Sequence, residues 1–171
     1  MTQATPRQRG GSGNARHGDR HLLSLGKLHF LAAYCPLHRR FPAAWLARIF
    51  VPAVNCDSVR FFENDDGDTC AALIWARLSD AAAERMLSEG RPPAAADWAA
   101  GENLWFLDLL APFGHGRVVA RHIARNPPPE PFRFARIDAA GKLRKVVRGD
   151  VTARPGERLG ASAPPPMAEG V

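Results

Sequence analysis

The stretch Asn103–Gly116, reading Asn-Leu-Trp-Phe-Leu-Asp-Leu-Leu-Ala-Pro-Phe-Gly-His-Gly, constrains the fold more than any other. An apolar run bounded by Pro112 and Gly114 has the form of a buried strand. It carries one carboxylate, Asp108, which is costly to bury unless something pairs with it. Gly114-His115-Gly116 then leads into Arg117–Arg125, whose apolar residues fall at helical spacing. Strand, glycine turn and helix start in succession make a cradle for an anionic group such as a phosphate.

The chain has 171 residues, enough for one domain with a sizeable core and too few for two ordinary ones. No uninterrupted apolar run approaches the roughly 20 residues needed to cross a bilayer. Met1–Arg20 is polar and basic, lacks the apolar middle of a secretory signal, and reads as a disordered leader. A soluble, cytoplasmic protein is expected. Cys35, Cys56 and Cys70 are odd in number and far apart, so reduced thiols are expected, with neither a disulfide framework nor a metal site.

Net charge is +6, and its distribution is uneven. Residues 57–114 hold eleven acids and four bases, whereas residues 115–148 hold nine bases and two acids. A basic segment following an acidic one suggests a face for an anionic partner: nucleic acid, an acidic protein or a phosphorylated cofactor.

Periodicity supplies the elements. A first amphipathic helix is predicted from about His21 to Tyr34, ended by Cys35-Pro36 because the residue before proline is pushed out of the helical region. Pro42–Val51 reads as a second helix. Ser58–Glu63 and Thr69–Leu78 form an antiparallel hairpin across Asp66-Gly67, with the second strand apolar enough to be buried on both faces. Ser79 caps a helix over Asp80–Glu89 that Gly90 stops. The organising strand and helix follow, then a hairpin of Phe132–Asp138 and Lys142–Arg148. Val151–Val171, rich in Ala, Pro and Gly, reads as a disordered tail. The fold class is α+β, a mostly antiparallel central sheet flanked by helices.

Few residues suit chemistry. His38 lies in the break between two helices beside Arg39 and Arg40, whose charge should keep the imidazole neutral near pH 7, while a carboxylate such as Asp108 would act the other way. Either residue also has a structural reading, His38 as a capping or packing group and Asp108 as a solvent-facing or Arg-paired strand residue. Gly114 and Gly116, with Arg117, Arg121 and Arg125 at four-residue spacing, offer exposed amides and a basic stripe to an anion. Cys35, three residues before His38, suggests a Cys–His pair and an acyl-enzyme, but the sequence favours an inert buried thiol. Trp45, Trp75, Trp98 and Trp105 are scattered and suit a core better than a stacking platform for nucleic acid.

Several pieces now occur in an order that resembles a known family: Cys35-Pro36-Leu37-His38-Arg39, Val51-Pro52-Ala53-Val54, Ile74–Ser79, Asp97-Trp98, Leu104–Gly114 and Phe134-Ala135-Arg136. Together they resemble the RTX toxin-activating (hemolysin-activating) lysine acyltransferases, over about residues 21–148. The resemblance implies a GNAT-like acyltransferase fold. It implies transfer of a fatty acyl chain from acyl-carrier protein to the ε-amine of internal lysines of an RTX protoxin, in the cytoplasm before export. It also implies a homodimer, no permanently bound cofactor, and an acyl-carrier phosphopantetheine thioester as co-substrate. His38 and Asp108 fall on the family's catalytic histidine and aspartate. Gly114, Gly116, Arg117 and Arg121 would meet the donor's phosphate and the acidic carrier. The family usually has Ser at the position of Cys35, so Cys35→Ala is expected to retain most activity. The rival is a non-enzymatic basic module that binds an acidic protein or nucleic acid.

Overall fold

The computed structural model describes residues 14–137, 143–150, 153 and 159–162. Its described elements are α1 (Asn14–Tyr34), α2 (Ala43–Asn55), β1 (Val59–Glu63), β2 (Thr69–Leu78), α3 (Asp80–Glu89), β3 (Asn103–Leu110), α4 (Gly116–Arg125), β4 (Phe132–Ile137), β5 (Leu143–Gly149) and β6 (Leu159–Ser162). A 3₁₀ turn, His38–Arg40, joins α1 to α2. The strands form one sheet in chain order, antiparallel at every pairing except β3–β4, which is parallel. A parallel pair needs a crossover, and α4 supplies it. The α+β, mostly antiparallel architecture expected from the sequence is the one observed.

β2 is buried on both faces, as its composition requires. Ala72, Ile74, Ala76 and Leu78 pack with Leu28 and Leu31 of α1, Phe50 of α2 and Ala82 of α3. Ala71 and Leu73 join the opposite cluster, which Val119 of α4 closes. Three helices therefore cover one face of the sheet and α4 covers the other. The helix face is the larger core.

Local signals operate as read. The Ser79 side chain accepts the amide proton of Ala82 at 3.2 Å, and Gly90 ends α3 with a left-handed φ of 61°. Asn64 Oδ1 accepts from the amides of Asp66 and Asp68, and Gly67 turns the β1–β2 hairpin with φ 83°. Three boundaries differ from expectation. α2 runs on through Pro52 to Asn55, because Pro52, Ala53 and Val54 are all buried and their packing outweighs the lost amide. α1 begins at Asn14, inside the stretch read as a disordered leader. Extending a formed helix needs no apolar signal, since the costly step is nucleation. Within the expected disordered tail, Leu159–Ser162 pairs with β5 as an edge strand. An edge strand joins through backbone groups, so its side chains advertise it weakly. The rest of the leader and tail, and the turn of the last hairpin, lie outside the described residues.

Candidate active site

His38 enters from the 3₁₀ turn between α1 and α2. The turn is held by the amide of Arg39 on Cys35 O and that of Phe41 on His38 O, both at 3.0 Å. The imidazole is 5% exposed, and it packs edge-on to Phe41.

Asp108 comes from β3, and a bulge aims it. Phe106 opposes Trp75 and Asp108 opposes Ile74, so Leu107 is an extra residue in the strand. Plain alternation from the core residue Trp105 would place residue 108 on the α4 face. The extra residue returns Asp108 to the face of Ile74 and Leu110, under the helices.

The two groups meet across 70 positions of sequence: His38 Nε2 lies 3.1 and 2.9 Å from the Asp108 carboxylate oxygens. The amide of Leu109 donates to Asp108 Oδ1 at 2.8 Å, which fixes the carboxylate. On the other side of the ring, His38 Nδ1 lies 2.9 Å from Cys35 Sγ. Thiol, imidazole and carboxylate form one continuous relay.

The electrostatics of the ring differ from the sequence expectation. Burial disfavours its charge, but the hydrogen bond and negative charge of Asp108 outweigh burial, with a smaller contribution from Cys35, and raise the His38 pKa from 6.5 to about 9. Arg39 and Arg40 were expected to hold the ring neutral. Both side chains are solvent-exposed, where their fields are screened. Cys35 responds in the opposite sense: burial raises its pKa, but hydrogen bonds from the His38 side chain and amide, then the charge of His38 and the amide of Leu37, together lower it. At neutral pH the ring is therefore an imidazolium with an acceptor at each nitrogen.

An exposed aromatic cluster that sequence reasoning missed includes Tyr34, the residue before Cys35. Phe30, Tyr34 and Phe113 are 49%, 58% and 45% exposed, yet their ring centroids lie 5.1 to 6.2 Å apart. Phe30 and Tyr34 at a spacing of four gave a signal for one helix face, but nothing local joined them to Phe113. At the turn read from the sequence as an anion cradle, Gly114 has φ 84°, and Gly116 opens α4. Arg117 and Arg121 project outward from that helix and are exposed. Among the described residues, no hydrogen bond or ion pair joins them to the relay. Trp98 and Trp105 are core residues, and the Trp98 indole donates to Trp75 O at 3.1 Å.

A sequence model of the RTX toxin acyltransferase family matches residues 19–149. The chain belongs to that family. Its relatives include the RTX-I toxin-activating lysine-acyltransferase ApxIC of Actinobacillus pleuropneumoniae, 33% identical over 71% of this chain and 70% of the relative. The protein-lysine myristoyltransferase HlyC of Escherichia coli is 32% identical over 71% of each chain. The lysine-acyltransferase RtxC of Vibrio cholerae is 34% identical over 60% of this chain and 67% of its own. Family membership makes the chain an acyltransferase, and the non-enzymatic basic module gives way to it. None of the described helices is long and apolar enough to cross a membrane.

Proposed function

We propose that the chain moves a fatty acyl group from the phosphopantetheine thioester of acyl-carrier protein to the ε-amine of internal lysines in an RTX protoxin, in the cytoplasm before export. The reading rests on one observation: His38, nearly buried, paired with Asp108 at 2.9 Å. A buried acid–base pair with one protein atom, Cys35 Sγ, on its free edge is suited to moving protons at a neighbouring thioester. Relatives named as RTX toxin-activating lysine-acyltransferases support the lysine acceptor.

Lysine arrives as an ammonium with a reference pKa of about 10.4 and must lose a proton before it attacks a carbonyl. His38 accepts that proton in its neutral form, which it must first reach by losing the proton Asp108 favours, and Asp108 holds the ring and stabilises the resulting imidazolium. The sheet opening supports a place for the donor. β3 and β4 pair only from Leu104–Phe132 to Phe106–Phe134, while β3 continues to Leu110. The strands part beside Asp108, which supports the GNAT-like expectation. Gly114, Gly116, Arg117 and Arg121, just beyond this opening, would receive the donor's phosphate and the acidic carrier. No permanently bound cofactor enters this chemistry. A homodimer is part of the proposal.

The test is incubation of the purified chain with myristoyl-acyl-carrier protein and a recombinant RTX protoxin. Mass spectrometry should find acylated internal lysines with the parent and about 100-fold or greater loss with His38→Ala or Asp108→Ala. Transfer at the parental rate by the His38 variant would overturn the assignment.

A further inference from the structure

Three thiols of this chain occupy three different environments. Cys70 is 3% exposed, packed among apolar residues, and burial pushes its pKa up. Cys56 is solvent-exposed. Cys35 is neither: it is half-buried, follows the exposed ring of Tyr34, and lies 2.9 Å from the nitrogen of a histidine whose other nitrogen is held by a carboxylate. Nucleophile, base and orienting group in hydrogen-bond sequence are the geometry of a covalent acyl-transfer site. Cys70 has the surroundings of a structural thiol, and Cys35, beside the imidazole, does not share them.

We propose that Cys35 is a catalytic nucleophile that carries the acyl group as a thioester between donor and lysine. The proposal rests on the acyltransferase reading above and specifies its route. In the first half-reaction the Cys35 thiolate attacks the carbonyl of the donor thioester. A new carbon–sulfur bond forms to Cys35, the bond to the pantetheine sulfur breaks, and the His38 imidazolium gives its proton to the departing thiolate. One thioester replaces another, so no oxidant or reductant is needed. In the second half-reaction the lysine, having lost one proton to solvent, attacks acyl-Cys35. Neutral His38 takes the second proton from the attacking nitrogen, the amide forms, and the Cys35 thiolate leaves. The starting charge state of the Cys35–His38 pair is restored.

This route resolves a difficulty in the direct one. An imidazole that rests charged at neutral pH is a poor base for an amine. Here it has already surrendered its proton to the leaving thiol when the amine arrives. The resting charge is then the working state of the first step. The acyl-thioester also has apolar surface close by along the chain, in Tyr34 and the tilted rings of Phe30 and Phe113 packed near it.

The experiment incubates the full chain with myristoyl-pantetheine, without acceptor, followed by intact-mass analysis and peptide mapping. The parent should gain one myristoyl group on Cys35 that is released by neutral hydroxylamine, and the group should pass to protoxin lysines when protoxin is added. Cys35→Ala should form no adduct and lose at least about 100-fold in transfer. Transfer by Cys35→Ala at the parental rate would overturn the nucleophile while leaving the acyltransferase standing. Absence of transfer by the parent itself, with either donor, would overturn both. Alkylation of the parent by iodoacetamide at about pH 6 gives a check that needs no variant. Cys35 should react at least about tenfold faster than Cys56, and inactivation should follow its labelling. Equal rates, or full activity after labelling, would overturn the proposal.

Discussion

Asp108 acts on His38 in two ways that can be separated by one oxygen atom. Asp108→Asn keeps an acceptor beside Nε2 but removes the charge. The His38 pKa should then fall well below about 9, because burial is left opposed only by the smaller effect of Cys35. Imidazole NMR titration checks this, and acyl transfer should drop by about 100-fold or more. Stability carries the same signature. His38 binds its proton more tightly when folded than when unfolded. The pair therefore contributes stability that is fully present below about pH 6.5 and lost as pH rises through about 9. The difference is on the order of 3 kcal/mol at most. Urea unfolding at the two ends of that window should show it in the parent and not in Asp108→Asn.

Among elements, β3 and the segment leading into it carry the site. Gly101 sits where an added Cβ would lie 2.0 Å from the backbone of Leu78 and Ser79. Gly101→Ala must therefore shift the chain that feeds both α3 and β3, and it should cost about 1–3 kcal/mol in urea unfolding. Ser79→Ala removes the cap of α3, should cost about 1 kcal/mol, and should leave acyl transfer unchanged. Caps and turns of this kind were legible, since Ser79, Gly90 and Asp66-Gly67 act on neighbours within four residues. His38 and Asp108 were each legible for their own settings, a helix break and an apolar run. Their meeting was not local information. The bulge at Leu107 decides it, and no pattern of alternation within Trp105–Leu110 reveals which residue is extra until β2 is laid alongside. The strength of the carboxylate over Arg39 and Arg40 was hidden for the same reason, because distance and solvent exposure, not sequence proximity, set the ring's field.

The whole molecule divides labour between its faces. Helices α1 to α3 build the relay side, and α4 carries an outward basic stripe on the other side of the sheet. If that stripe meets the acidic carrier, Arg117→Glu with Arg121→Glu should raise KM for myristoyl-acyl-carrier protein at least about tenfold. KM for myristoyl-pantetheine should change far less, and added salt should weaken the parent's use of the carrier. Steady-state kinetics with both donors decides it. The architecture as a class was legible from hydrophobic pattern, while the polar start of α1 and the edge strand β6 were not, because neither depends on apolar side chains. The span between His38 and Asp108 has one more consequence. The amino-terminal helical corner supplies the thiol and imidazole, and the third strand supplies the carboxylate, so neither half possesses reactive chemistry alone. On the proposed route, a chain still emerging from the ribosome, or one whose first helices have swung away from the sheet, would load no acyl group. Competence switches on only when the corner is seated.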